Sequence, residues 1–218
     1  DIRNDLEAPP KINLNTIMQF ISRPSWCLNM MTAKKLNFGN IMGHVTNVTN
    51  LSSLASWTAD QFDPTLTWED IAWIKDRWKG KLILKGIMDS EDAMLAVKAG
   101  ADAIIISNHG GRQLDGAPST ISVLPEIVDA VNSKVEVHFD GGVRSGQDVL
   151  KALALGADCI HIGRPYVYGL GAKGQEGVEI AIEIIKKELD LTMAMCGETN
   201  ISNVGLHNLH HNPFKIIN

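Results

Sequence analysis

The sequence predicts an α/β fold made of about four βα units of a TIM (β/α)8 barrel, preceded by a long excursion of loops and helices. Short β-rich runs alternate with helical patterns in the second half of the chain, polar residues follow the strand ends, and two segments repeat each other. Strands that alternate with helices are typical of a parallel sheet. A composition of 44% hydrophobic residues and a net charge of -5 agrees with a globular domain.

Four runs have the composition of strands. Each is short, contains β-branched residues and ends in glycine or a polar residue, as strands bounded by turns do. They comprise residues 81–86, 103–108, 135–142 and 159–164. Apolar residues at helical spacing occupy residues 90–100 and 145–156, so the strands are predicted to be parallel and joined by helices.

Two segments of the chain, 91–107 and 147–163, align without gaps, and "GAD" occurs at the same place in both. The repeat spans two strand-helix units. A barrel of about 250 residues in eight units fits such a period, because alternate strands supply the same interior layers. A doubly wound open sheet is the alternative, although its usual G-x-G-x-x-G turn after the first strand is missing from the sequence.

The chain is predicted to divide into three parts. Residues 1–80 form the excursion, residues 81–204 the barrel units and residues 205–218 a divergent tail. In the excursion, Phe20, Trp26 and the apolar residues near them show no period that would bury them. Apolar groups on a long loop indicate a lid or an interaction surface, and a loop packed on the barrel exterior is the alternative.

Charge and cysteine content exclude several classes of function. The sequence has no run of Lys and Arg that would give an electrostatic footprint for nucleic acid. It also has no apolar run of the ~20 residues that a membrane span needs. Cys27, Cys159 and Cys196 are odd in number and lack the spacing of a zinc site or a disulfide framework, which indicates a reducing compartment.

The histidines give no prediction of a metal site. His138 and His161 fall inside predicted strands and are interpreted as structural residues. The tail histidines His207, His210 and His211 have ligand-like spacing, but no carboxylate or cysteine accompanies them.

The turn after the third predicted strand is the strongest candidate for a phosphate site. Its two glycines let backbone N–H groups approach an anion, and a helix opens near Ser145. A second Gly-Arg pair follows the next strand, and late barrel loops commonly share one phosphate site. Simple tight turns are the alternative. The predicted anion-binding residues are Asp140, Gly141, Gly142, Val143, Arg144, Gly163 and Arg164.

Three further polar residues follow the first two strands. Lys85 ends an apolar strand, so it either forms an ion pair or faces an electron-accepting ring. His109 is a candidate general base, because a neutral imidazole takes a proton near neutral pH. Arg112 is a candidate clamp for a carboxylate, which a guanidinium binds in a bidentate manner. A structural role for the histidine is the alternative.

These motifs resemble those of the FMN-dependent α-hydroxy acid oxidising enzymes. "SNHGGRQLDG" at residues 107–116 is similar to the active-site motif of that family. "LILKG", "DGGVRSGQDVLKALALGAD" and "IGRPYVYGL" are similar to its other flavin-contacting segments and occur in the right order. The resemblance covers residues 57–200 most clearly.

The resemblance implies FMN as the cofactor and a role for each matching residue. It implies that His109 is the catalytic base, that Arg112 binds the substrate carboxylate, and that Lys85 and Ser107 contact the flavin ring. The residues from Asp140 to Arg144, with Gly163 and Arg164, are then FMN phosphate and ribitol contacts. It also implies that this chain corresponds to the C-terminal half of the barrel, because the first four strands of the family precede its fifth-strand motif.

The activity implied is the oxidation of a short L-2-hydroxy acid, with L-lactate to pyruvate favoured and mandelate or glycolate open. A quinone, a cytochrome or oxygen would accept the electrons, and the full-length enzyme is expected to be a homo-oligomer. The expected location is the cytoplasm, with peripheral contact at the inner face of the plasma membrane through residues 20–56. A barrel isomerase or lyase acting on a phosphorylated substrate, or an inactive half-barrel fragment, is the alternative.

Overall fold

The computed structural model describes residues 13–33, 53, 57–58, 60–61 and 63–210. The chain forms two compact units, residues 1–66 and residues 67–218. The sheet and all the candidate site residues belong to the second unit. Residues 211–218 of the predicted tail, including His211, lie outside the described residues.

The described part of the first unit contains two short helices, α1 (Leu14–Ile21) and α2 (Pro24–Thr32). The side chain of Asn13 caps α1 by accepting a hydrogen bond from the Thr16 backbone N–H at 2.8 Å. Phe20 and Trp26 stack with their ring centroids 5.6 Å apart. Neither helix has a buried residue. No helix in the part of the chain that the structure describes has the length and apolar character needed to cross a membrane.

The second unit alternates strands with helices. Its strands are β1 (Ile83–Ile87), β2 (Ala103–Ile106), β3 (Glu136–Phe139) and β4 (Cys159–Ile160). Its helices are α3 (Trp68–Arg77), α4 (Ser90–Lys98), α5 (Thr120–Val131), α6 (Gly146–Ala154), α7 (Arg164–Lys173) and α8 (Gln175–Met195). The four strands form one parallel sheet in the order β1-β2-β3-β4, as the sequence predicts.

The two faces of the sheet differ in character. Ile104, Ile106, Val137 and Phe139 point to the face that the helices cover and are at most 2% exposed. Alternate residues point to the opposite face, because successive side chains of a strand lie on opposite sides. This second face, called here the inner face, carries Lys85, Ile105, Ser107, Glu136, His138, Asp140, Cys159 and His161. Polar side chains therefore project from one side of the sheet only.

The repeated "GAD" motif has the same structural role in both copies. The Asp102 carboxylate accepts a hydrogen bond from the backbone N–H of Leu82 at 2.9 Å, and the Asp158 carboxylate accepts one from Val137 at 2.8 Å. Each aspartate thus ties its own strand to the preceding strand in the sheet. Lys75 and Lys81 also bind Asp102, and these hydrogen bonds, with that from Leu82, hold the pKa of this carboxyl well below its usual range.

The structure refines two sequence predictions. Strand β4 ends at Ile160 although the predicted run extends to residue 164, because the chain turns away to begin α7 at Arg164. Residues 205–210 of the predicted divergent tail form a short helical turn at Leu206–Asn208, and Leu206 and Leu209 pack against the core. The predicted domain boundaries at residues 80 and 204 stay predictions.

Candidate active site

Three polar residues, Lys85 in β1, Ser107 directly after β2 and Asp140 directly after β3, meet at one edge of the sheet. Lys85 Nζ lies 2.5 Å from Ser107 Oγ and 3.0 Å from Asp140 Oδ2. The Ser107 hydroxyl donates to Asp140 Oδ1 at 2.7 Å. The lysine is therefore ion-paired, and the pairing fixes its position. Its side chain is still 46% exposed, so its charge also acts on the space beside it.

The loop after β2 holds His109 in a distinct backbone conformation. His109 has φ 56°, in the left-handed region that few residues other than glycine adopt, and its N–H donates to Ser107 Oγ at 3.1 Å. Asn108 caps the turn by accepting a hydrogen bond from the Gly111 N–H at 3.0 Å. The exposed imidazole thus projects from a turn that several hydrogen bonds fix. Arg112 follows immediately and is exposed.

The loop after β4 is tied to the His109 loop. Arg164 Nη2 donates to the Gly110 carbonyl oxygen at 2.8 Å. Residues 54 positions apart are thereby joined at one rim of the sheet. Gly163 caps α7 at the same place, and Pro165 occupies its first turn.

The turn after β3 requires glycine. Gly141 has φ +100°, and a Cβ there would lie 2.6 Å from Thr120 Oγ1. Gly142 also has a positive φ, but the space beside it is open. The two residues turn the chain sharply from Asp140 toward Arg144 and the start of α6.

Four N–H groups at or just before the start of α6 have protein partners. The Asp148 carboxylate accepts from the N–H groups of Arg144 and Ser145, and Ser145 Oγ accepts from the Asp148 N–H. The Gly146 N–H donates to Glu188 of α8 at 2.9 Å. An anion in this loop would therefore bind the glycine turn and the arginine side chains, and not the amino end of α6. The sequence could not show this occupation, because Glu188 is distant along the chain.

A cleft of about 500 Å³ lies at this rim. It contains the side chains of Lys85, Arg112, Arg144 and Arg164 against the single carboxylate of Asp140, so its charge favours an anionic ligand. The cleft is lined by Lys85, His109, Gly110, Arg112, Asp140, Gly141, Gly142, Val143, Arg144 and residues 161–167. The lining of this cleft thus includes all the predicted site residues except Ser107, which contacts Lys85 and Asp140 beside it. Ser107 lines an adjoining cleft of about 560 Å³, together with Lys85 and His109.

Sequence reasoning assigned no site role to His161, which also lines the first cleft. Its Nε2 lies 3.1 Å from His138 Nδ1. Burial, and after it the neighbouring His138, lowers the pKa of His161 and favours its neutral form. A signal was present in the sequence: His161 lies two residues after Cys159, just as Asp140 lies two residues after His138, so the two residues occupy equivalent positions at the ends of neighbouring strands.

Comparison with known proteins identifies the family of this chain. The model of the FMN-dependent dehydrogenase family matches residues 1–211. The chain belongs to this family. The predicted family, α/β barrel fold class, class of enzyme and FMN cofactor are confirmed, and the match extends beyond residue 204, where the resemblance was expected to end.

Two curated relatives are named L-lactate dehydrogenase. That of Vibrio cholerae serotype O1 (strain M66-2) is 41% identical over 201 residues, which cover 92% of this chain and 53% of the relative. That of Stenotrophomonas maltophilia (strain R551-3) is 42% identical over 205 residues, which cover 94% of this chain and 54% of the relative. The chain spans about half the length of the curated relatives it matches.

Two solved structures are also similar. A monotopic membrane protein, (S)-mandelate dehydrogenase, superposes with a TM-score of 0.90 at 33% identity, covering 97% of this chain and 56% of that one. A mandelate oxidase with (S)-4-hydroxymandelic acid has a TM-score of 0.66 at 46% identity, covering 70% of this chain and 43% of that one.

Proposed function

We propose that this chain supplies the base, the carboxylate clamp and the FMN phosphate site of an enzyme that oxidises a short L-2-hydroxy acid. The observation that carries the proposal is the convergence of His109, Arg112 and Lys85 at one cleft. A base, a carboxylate clamp and a fixed cation are the groups that such an oxidation needs. L-lactate, converted to pyruvate, is the favoured substrate because the curated relatives carry that name.

The donor set of the cleft fits FMN. Arg144 and Arg164 stand where a phosphate can accept charge-assisted hydrogen bonds, and the open space beside Gly142 and Gly163 admits it close to the backbone. Lys85 provides the positive charge that favours an anionic, reduced ring. When bound, FMN supplies the two-electron acceptor for the substrate.

The protein residues bind the substrate and move its proton. Arg112 holds the carboxylate and so presents the α-carbon to the centre of the cleft. The substrate loses two protons and two electrons as its alcohol becomes a ketone. The imidazole of His109 takes one proton, and the electron pair leaves with the second proton for the bound FMN. The hydrogen bond from the His109 N–H to Ser107 fixes the loop that carries this imidazole.

Changing Arg112 to lysine is expected to lower kcat/KM for L-lactate by roughly 10- to 100-fold, mainly through KM. Lysine keeps the charge but loses the two-pronged hydrogen bonding, and a hydrogen bond to a charged group contributes about 1.5–3 kcal/mol. Steady-state dye reduction by the intact FMN-loaded enzyme measures the change, with L-lactate and (S)-mandelate compared side by side.

The matched control for this experiment is Arg77→Lys, which lies on α3, outside the cleft. It should leave kcat/KM unchanged. Normal kinetics of Arg112→Lys on both acids would refute the clamp. A wild type that prefers (S)-mandelate would keep the clamp but replace L-lactate as the substrate.

We also propose that the enzyme is cytoplasmic and that residues 20–56 attach it peripherally to a membrane. Trp26, Leu28 and Met31 are 49%, 61% and 83% exposed, and residues 34–52 and 54–56 of the segment lie outside the described residues. Exposed Trp and aliphatic groups favour the membrane interface. One of the similar solved structures, the (S)-mandelate dehydrogenase, is that of a monotopic membrane protein.

A variant with Trp26→Ser, Leu28→Gln and Met31→Gln is expected to move the intact enzyme from the membrane fraction to the supernatant. The substitutions remove exposed apolar area that a bilayer would bury. Sedimentation of cell fractions, and of lipid vesicles mixed with the purified enzyme, measures the shift. The control is Leu191→Gln with Met195→Gln, which alters exposed apolar residues of α8. A wild type that stays in the supernatant would contradict membrane attachment.

A further inference from the structure

Three potential metal ligands lie together on the inner face of the sheet. His138 belongs to β3 and pairs in register with Cys159 of β4, while His161 follows two residues later on the same face. Their ligand atoms, one from each side chain, all lie within 4.8 Å of one another. Sequence spacing did not indicate this group, because strand pairing brings the first ligand to the other two.

The spacing of these atoms is close to that of a tetrahedral site. Ligand atoms about 2.0–2.3 Å from a zinc ion lie roughly 3.3–3.8 Å from each other. His138 Nδ1 and His161 Nε2 are already 3.1 Å apart. Since all three ligand atoms lie within 4.8 Å of one another, closing the set to tetrahedral spacing requires movements of about 1.3 Å or less.

A carboxylate stands behind one of the histidines. Glu136 Oε2 lies 3.3 Å from His138 Nε2, on the side of the ring opposite the Nδ1 atom that faces His161. When Nε2–H donates a hydrogen bond to the glutamate, the proton of the neutral ring stays on Nε2. Nδ1 then has a lone pair that can bind an ion. Metal-binding histidines commonly have such a carboxylate partner, which fixes the tautomer and orients the ring.

We propose that His138, Cys159 and His161 form a Zn²⁺ site with an open fourth position. Two imidazoles and one thiolate are ligands that zinc favours, and three protein ligands leave one position for water or another small ligand. His161 also lines the cleft, so this position lies near the proposed FMN site. On binding, the ion forms bonds to two ring nitrogens and to sulfur, and the thiol proton passes to solvent.

The first test is a titration of the full chain with Zn²⁺ and with Co²⁺ as a spectroscopic probe. One ion per chain is expected, and Co²⁺ should give the near-ultraviolet charge-transfer band of a cobalt-thiolate bond. Cys159→Ser should abolish the band, and Cys196→Ser, at another exposed cysteine, should leave it unchanged. Retention of the band and of the Zn²⁺ affinity in Cys159→Ser would overturn the site.

The outer carboxylate gives a graded test. Glu136→Gln should weaken Zn²⁺ binding by the about 10–100-fold typical of such partners, and His138→Gln should weaken it further. His207→Gln, whose histidine pairs with Glu198, is the control and should bind Zn²⁺ normally. Equal affinity in the wild type and His138→Gln would exclude that ligand and overturn the proposed set.

The second measurement needs no variant, so it decides the matter even if a substitution prevents folding. Zn²⁺ should protect Cys159 of the wild-type chain from iodoacetamide, and Cys196 should react at the same rate with and without the ion. Peptide mass spectrometry identifies the modified cysteine. Equal modification of Cys159 with and without Zn²⁺ would refute the proposal. These readouts do not depend on FMN or on turnover, so they stand apart from the proposed oxidation.

Discussion

Replacing His109 by glutamine is expected to slow the reduction of enzyme-bound FMN by L-lactate by roughly 10²–10⁴-fold, the contribution of a positioned general base. Glutamine can still form hydrogen bonds but cannot take the substrate proton. The backbone N–H of residue 109 should keep its hydrogen bond to Ser107, so the FMN content should not change. Anaerobic stopped-flow mixing of the intact enzyme with L-lactate measures the reduction rate.

The backbone at position 109 calls for a second variant. His109 has φ 56°, a conformation that asparagine adopts more readily than glutamine does. His109→Asn therefore removes the base with less strain in the turn. If both variants reduce FMN slowly, the loss belongs to the proton transfer and not to a displaced loop.

His207→Gln is the control for the chemical role of the imidazole. This histidine is exposed and binds Glu198 at 2.8 Å, and it does not line the cleft. Its substitution should leave the rate unchanged. A near wild-type rate in His109→Gln or His109→Asn would remove the role of base from this residue.

The sequence predicted the sheet well because the parallel order depends on local signals. The "GAD" repeat shows the basis of this success. Asp102 and Asp158 each accept a backbone N–H from the preceding strand, so the motif that was recognised as a repeat is also the contact that joins neighbouring strands. Similarly, Lys85, Ser107 and Asp140 could be grouped in advance, because carboxyl ends of parallel strands lie at one edge of the sheet.

Other features depend on pairings that no local pattern contains. Arg164 binds the carbonyl of Gly110, and Glu188 of α8 occupies an N–H group at the start of α6. Both contacts depend on how loops and helices pack in three dimensions. The sequence therefore predicted a phosphate site that includes a helix amino end, whereas in the structure the N–H groups of Gly146 and Asp148 at that end bind Glu188 and Ser145.

The cluster of histidines on the inner face of the sheet also depends on a contact that the sequence pattern does not contain. The sequence favours structural roles for His138 and His161 because both fall inside predicted strands. Register brings His138 opposite Cys159, and alternation then puts His161 on the same face. Strand register follows from the pairing of whole strands, so the contact between the two imidazoles was outside the reach of motif analysis.

Replacing Arg164 by glutamate is expected to release FMN from the enzyme. The substitution puts a negative charge where the phosphate would bind, and loss of one partner of a hydrogen-bonded charge pair costs about 2–5 kcal/mol, or roughly 30-fold to several thousand-fold in Kd. Flavin absorbance per protein chain after gel filtration measures retention, and titration of the apoprotein with FMN gives the Kd.

Arg77→Glu is the control for the change of charge. Arg77 lies over the ring of Trp73 on α3, outside the cleft, and its reversal should leave FMN bound. Arg164→Lys is an intermediate case. Lysine keeps a positive charge but lacks the planar guanidinium whose separate N–H groups can bind the Gly110 carbonyl and the phosphate at the same time. Its flavin content should fall between those of the wild type and Arg164→Glu.

The two arginine series separate cofactor binding from substrate binding. Arg164 also fastens the His109 loop through Gly110, so a displaced loop could mimic a direct effect on catalysis, but it would not by itself expel the phosphate. Arg112→Lys should keep stoichiometric FMN and lose affinity for the acid, whereas Arg164→Glu should lose FMN whether or not substrate is present. Stoichiometric FMN in Arg164→Glu would show that the phosphate binds elsewhere, and the turn from Gly141 to Arg144 would then lose its assigned role as well.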